Sequence, residues 1–141
     1  MLQGKPLSLL PLQTLIYYDI LYSHLYFIVT AVLYIYKSTI LTYPPNTISL
    51  ECAGLAFFIF LQYFRLFIGI VGNKAEGPGV MIHFLVLTIP SIFGGVFFIA
   101  LQLYVLIADR VMNIIFLIIS SIEFILGIVV VIRFKKAEST R

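Results

Sequence analysis

The chain has 141 residues, of which 62% are hydrophobic and 11% charged, with a net charge of +3. That composition excludes a water-soluble domain, because too little polar surface remains to cover a core of this size. Lipid is the expected solvent, and the basic balance reads as a topology signal and attraction to anionic headgroups rather than affinity for nucleic acid.

A hydrocarbon core of about 30 Å needs about 20 helical residues, and four apolar windows of that length occur in the chain. The first is predicted from about Leu15 to Tyr36, because the stretch after His24 is too short to cross; Asp19 and His24 therefore lie in the span or its margin. The second runs from about Leu50 to Val71 and carries Arg65. The third, Val80 to Ile107, contains Pro90, Gly94 and Gly95, which kink or thin a membrane helix without ending it when neighbours cover the freed backbone. The fourth, Val111 to Ile132, carries Glu123 near its middle.

Ala108, Asp109 and Arg110 are the only break between the last two windows, so helices 3 and 4 are predicted to form a tight antiparallel hairpin. The other connections are Lys37 to Ser49, with Pro44 and Pro45, and Gly72 to Gly79, with Asn73, Gly77 and Pro78. The fold class is thus an all-α membrane protein, a four-transmembrane-helix bundle forming one domain over residues 1–141. Residues 133–141 are expected to be a short basic cytoplasmic tail.

Lys5, Lys74, Arg133, Lys135, Lys136 and Arg141 fall on one side and only Lys37 and Arg110 on the other, which predicts cytoplasmic termini. The first span is long enough to act as an anchor rather than a cleaved signal. Cys52 is alone, so no internal disulfide can form. His24 and His83 have no metal-ligand spacing and are expected to hydrogen-bond at bundle interfaces. Gly69, Gly72, Asn73 and Lys74 lack the spacing of a phosphate loop and read as a helix end with a glycine C-cap. No catalytic, metal or cofactor-binding set emerges.

At 100° per residue each span shows one polar or small stripe. Asp19, Ser23, Tyr26 and Thr30 share a face in the first. Glu51, Gly54, Phe58, Gln62, Arg65, Gly69 and Gly72 share one in the second, and Ser91, Gly95 and Gln102 in the third. Asn113, Phe116, Ser120, Glu123 and Gly127 do so in the fourth. Such stripes predict close helix approach and hydrogen bonds across the bundle.

Asp19 and Arg65 fall at matched depth, roughly 8 to 9 Å inside the boundary by helix rise, which makes them a candidate ion pair against the alternative that Arg65 snorkels. A carboxylate at the centre of a membrane helix costs roughly 2.5 to 3.5 kcal/mol, so Glu123 calls for a partner. Arg65, Gln62 and Gln102 are the groups with the reach; without one, desolvation keeps the acid neutral.

Several motifs carry a family resemblance. Tyr43-Pro44, the run Arg65-Leu66-Phe67-Ile68-Gly69-Ile70-Val71-Gly72-Asn73, Leu87 to Ser91, Leu101 to Leu106, Val111-Met112-Asn113 and Ser121-Ile122-Glu123 resemble the small tetraspan family that includes transmembrane proteins 17, 80 and 216, the 216 branch most closely. The likeness runs from about Pro11 to Phe134. It matches Arg65, Gly69, Gly72 and Asn73 to the second-span motif, Glu123 to an acidic fourth-span position, and Tyr43 with Pro44 to the first outer loop. Asp19 departs, standing where a relative has an amide, so its pairing with Arg65 is an expectation for this chain alone.

The resemblance implies residence in the ciliary transition zone, within the Meckel and Joubert module of tectonics, meckelin and B9-domain proteins, as a non-enzymatic scaffold of the gate to the cilium. Its partners would be those membrane proteins, met through helix surfaces and turns, together with membrane lipids. The alternative is a small proton-coupled transporter or channel subunit in which Glu123 carries the proton.

Overall fold

The computed structural model describes residues 5–140. Within them the chain forms α1 (Leu10–Ile40), α2 (Thr47–Ala75), α3 (Pro78–Val96), a π-helical extension of α3 (Phe97–Leu101) and α4 (Ile107–Ser139). All four are long and apolar enough to cross a membrane. They run up and down, so the start of α1, the end of α2, the start of α3 and the end of α4 meet at the end that carries the termini. At 31, 29 and 33 residues, α1, α2 and α4 are each more than 40 Å long at about 1.5 Å per residue, so they tilt or emerge into the headgroup layer.

The elements exceed or shift the windows read from hydropathy. α1 continues through Lys37 to Ile40, because Lys37 is wholly buried among the helices and needs no aqueous loop. α2 passes Gly72 and ends at Ala75, with Glu76 rather than a glycine in the left-handed C-cap at φ 53°. The Glu76 carboxylate accepts the backbone N–H groups of Leu7 and Ser8, at 2.6 and 3.2 Å, which offsets the cost of a left-handed residue with a side chain. Residues 133–139, expected as a tail, prolong α4 helically. Arg141 lies outside the described residues.

The largest difference concerns the third span. Its helix passes Pro90 unbroken but stops at Leu101, and residues 102–106 are non-helical. Ala108, Asp109 and Arg110, expected as the break, form the first turn of α4. Irregular backbone survives near membrane depth only when protein groups satisfy it, and three other helices do so here. Glu51 accepts the Leu103 N–H at 2.8 Å, Lys37 Nζ donates to the Tyr104 carbonyl at 3.0 Å, and Asp109 accepts the Leu106 N–H at 3.1 Å. The hairpin of α3 and α4 is real, but its bend is Gln102 to Leu106.

Two apolar layers fill the bundle. Toward the termini lie Leu12, Ile16, Leu66, Met81, Phe84, Val130 and Phe134. Toward the other end Tyr26, Phe27, Phe58, Phe98 and Phe116 interlock, mostly edge to face. α3 packs most closely, against both α2 and α4. Small residues permit this: a Cβ on Gly69 would stand 2.8 Å from the Phe84 ring, and one on Gly127 would stand 2.7 Å from Leu85. Gly69→Val should therefore push α3 away and lower stability by about 1–3 kcal/mol, read as a reduced unfolding temperature in detergent, with Gly69→Ala milder. Gly54 departs from its predicted stripe; it is exposed and has no neighbour within 4 Å of its would-be side chain.

Candidate functional site

Between the two apolar layers every helix contributes a polar side chain to one buried cluster. Arg65 on α2 is its centre and has no solvent exposure. Its Nη2 donates to Asp19 Oδ2 of α1 at 2.8 Å, and its Nη1 to Glu123 Oε2 of α4 at 2.7 Å. Its Nε donates to Gln62 Oε1 at 3.2 Å, and Nη1 also reaches Thr88 Oγ1 of α3 at 3.5 Å. The guanidinium lies over the Phe84 ring, 5.4 Å from its centroid. The planar fork of arginine suits this arrangement, because separate donors serve separate acceptors without deprotonation.

The two carboxylates are held differently. Asp19 Oδ2 accepts a second bond from Gln62 Nε2 at 3.1 Å, and Oδ1 accepts from Ser23 Oγ at 3.4 Å. Glu123 receives only Arg65, and its Oε1 is buried without a partner, as is the hydroxyl of Ser120 one turn earlier. One guanidinium faces two carboxylates, so the cluster is neutral only when it also holds one proton.

A second buried cluster closes the end away from the termini. Lys37 Nζ lies 2.7 Å from Asp109 Oδ2, with both side chains almost fully buried. Gln102, expected on the helical stripe of the third span, lies instead in the unwound segment and donates to Tyr34 Oη at 2.8 Å. Tyr43, from the predicted outer-loop motif, packs edge to face on Tyr104 at 5.1 Å. Burial, reinforced by the nearby Glu51 carboxylate, pushes its phenol up to about 12, so it stays uncharged. Pro44 starts the turn into α2, its carbonyl accepting the Thr47 N–H at 3.2 Å. Asn113 accepts from Tyr26 Oη at 2.8 Å and donates to the Asp109 carbonyl at 2.8 Å, which ties the aromatic layer to the first turn of α4.

The remaining residues of the second-span motif serve the termini end. Gly69 and Gly72 admit Phe84 and Met81. Asn73 accepts the Leu9 N–H at 3.1 Å and donates to Gln13 Oε1 at 3.0 Å, which ties the entry of α1 to the end of α2. His24 and His83, expected to hydrogen-bond at bundle interfaces, bond the carbonyls of Ile20 and Gly79 in their own helices; the His24 ring also packs edge to face on Tyr63 of α2, 5.3 Å between centroids. Among the described residues no group of three His, Cys, Asp or Glu side chains is placed to hold a metal ion.

The sequence alone does not mark Lys37, Asp109, Glu76 or Thr88 as site residues. Lys37 and Asp109 looked like ordinary boundary charges. The available signal was Asp109 three residues beyond Leu106, the place of an acidic residue that caps a helix start.

Four long apolar helices, tied by buried ion pairs, define an integral multi-pass membrane protein. The chain matches the model of the Transmemb_17 family, described as a predicted membrane protein, over residues 14–120 and belongs to that family. It is similar to transmembrane protein 216 of Homo sapiens, 29% identical over 95% of this chain and 92% of the relative. Transmembrane protein 216 of Danio rerio is 30% identical over 93% of this chain and 82% of its own. That of Bos taurus is 29% identical over 96% of each. No solved structure matches the chain.

Proposed function

We propose that the chain is a non-enzymatic scaffold in the membrane of the ciliary transition zone, with both termini in the cytoplasm. There it helps assemble the tectonic-like complex of the Meckel and Joubert module, which limits what enters the ciliary membrane and supports ciliogenesis. One observation carries the non-catalytic part: Asp19, Arg65, Glu123, Lys37 and Asp109 are bonded to one another within the bundle. What remains for a partner is lipid-facing surface, such as Phe57, Phe60 and Phe67 of α2 and Ile118, Ile125 and Ile132 of α4. Kinship with transmembrane protein 216 supports the place and the pathway. Lys74, Arg133, Lys135 and Lys136 gather at the termini end while Lys37 is neutralised by Asp109, which supports the orientation.

A photo-crosslinking residue at Phe60 or Ile118 in ciliated cells tests this reading. Adducts with tectonic, meckelin-like or B9-domain proteins are expected; a full set of adducts without any transition-zone protein rejects it. The alternative, a proton-coupled transporter using Glu123, requires pH-dependent flux in proteoliposomes that Glu123→Gln abolishes. Glu123 bonded to Arg65 at 2.7 Å favours the scaffold.

A further inference from the structure

The seam between α1 and α2 carries two polar groups at a depth where lipid offers nothing to bond. His24 stands near the midpoint of α1 and Tyr63 near that of α2, so neither side chain reaches headgroups about 15 Å away. Their rings touch, 5.3 Å between centroids, which sets both at one level in the bilayer. His24 is exposed and Tyr63 half-buried. His24 Nδ1 lies 2.7 Å from the Ile20 carbonyl oxygen; a carbonyl can only accept, so Nδ1 holds the proton and the neutral ring keeps Nε2 as an open acceptor. Tyr63 Oη has no protein partner among the described residues and is an open donor. We propose that a second copy of this chain packs on this seam about a two-fold axis along the membrane normal, each Tyr63 hydroxyl donating to Nε2 of the other copy's His24.

Symmetry selects a second copy over a foreign helix. A two-fold axis along the normal keeps every residue at its own depth and exchanges left with right across the contact, so an acceptor and a donor side by side at one level meet their opposites. One docking thus satisfies four groups that hydrocarbon would leave bare, at a cost for each. A foreign helix would need its own donor and acceptor at that level. Other polar side chains deep in these spans are already provided for. Asp19, Gln62, Arg65 and Glu123 are buried together, and the exposed Ser121 donates to the Leu117 carbonyl of its own helix at 2.7 Å. The backbones can also approach: about two helical turns, or seven residues, return to the same face, and at that spacing His24 is followed by Ala31 and Tyr63 is preceded by Ala56, both exposed. Because α1 and α2 are antiparallel, the two alanines lie on the same side of the polar pair, where small residues admit a neighbouring helix. Phe60 and Phe67, also exposed, flank Tyr63 and supply apolar cover.

The full chain, purified and reconstituted in phosphatidylcholine vesicles, tests the contact apart from any ciliary role. In a Cys52→Ser background, Ala31→Cys and Ala56→Cys copies mixed in equal amounts are expected to form a disulfide-linked dimer in higher yield than either variant alone, because the axis sets α1 of one copy against α2 of the other. Energy transfer between differently labelled copies, followed as lipid is added, gives the dissociation constant. Tyr63→Phe keeps the ring against His24 and Phe27 and should weaken association about ten-fold, the worth of two interhelical hydrogen bonds. His24→Leu should weaken it as much and the double variant no further, since each change removes the same two bonds. Phe93→Ala, on the exposed face of α3, should leave association unchanged. A chain that stays monomeric at high protein-to-lipid ratio overturns the proposal, whether or not another protein takes the seam. A dimer indifferent to both Tyr63→Phe and His24→Leu does so as well, since it would use a different face.

Discussion

Arg65→Met is expected to lower the stability of the bundle by about 3–5 kcal/mol, the usual cost of removing one partner from a buried ion pair. Two carboxylates would then face each other without a cation. The triple change Asp19→Leu, Arg65→Met, Glu123→Met should recover most of the loss, because apolar groups of similar volume replace a buried ionic cluster at little net cost. Unfolding equilibria in mixed micelles measure both. A triple variant as unstable as Arg65→Met would reject the cluster as an electrostatic tie. The carboxylates should also rank: Asp19 accepts from Arg65, Gln62 and Ser23, whereas Glu123 accepts from Arg65 alone. Asp19→Asn turns an amide donor toward donors already there, so it should cost more than Glu123→Gln.

Lys37→Met is expected to be nearly as damaging, again about 3–5 kcal/mol. The change strands Asp109, which is only 3% exposed, and also removes the donor to the Tyr104 carbonyl in the unwound segment. Its effect should spread along residues 102–106 as faster amide hydrogen exchange, which a loss of packing deeper in the bundle would not produce. Lys37→Met with Asp109→Leu should restore much of the stability but not the protection at Leu106, whose N–H loses the Asp109 carboxylate. Unchanged exchange at Leu103 to Leu106 in the single variant would show that Lys37 does not hold this turn.

Both variants act on contacts of different legibility. Asp19 and Arg65 could be paired from sequence because helix rise and the helical wheel convert number into depth and face, and both agreed. Glu123 could be placed on an inward stripe, but its partner could not be fixed, since the reach of an arginine across a bundle depends on helix spacing. That spacing is set by Gly69 and Gly127 against Phe84 and Leu85. Hydropathy places Lys37 in a loop because it counts a charge as a boundary. Its burial follows only from Asp109, 72 positions later in the chain, being brought within 2.7 Å.

The composition and the spacing of apolar windows thus determined by themselves that this is a four-span membrane bundle with polar stripes turned inward. Those properties follow from bilayer thickness and helical periodicity, which are local. Tertiary structure alone decided where the third helix ends. The run from Val96 to Ile107 is apolar enough to stay helical, with Gln102 its sole strongly polar residue. It unwinds at Gln102 because Glu51, Lys37 and Asp109 replace the lost backbone hydrogen bonds. Tertiary structure likewise decided that one arginine serves two carboxylates, because that depends on how closely four helices approach.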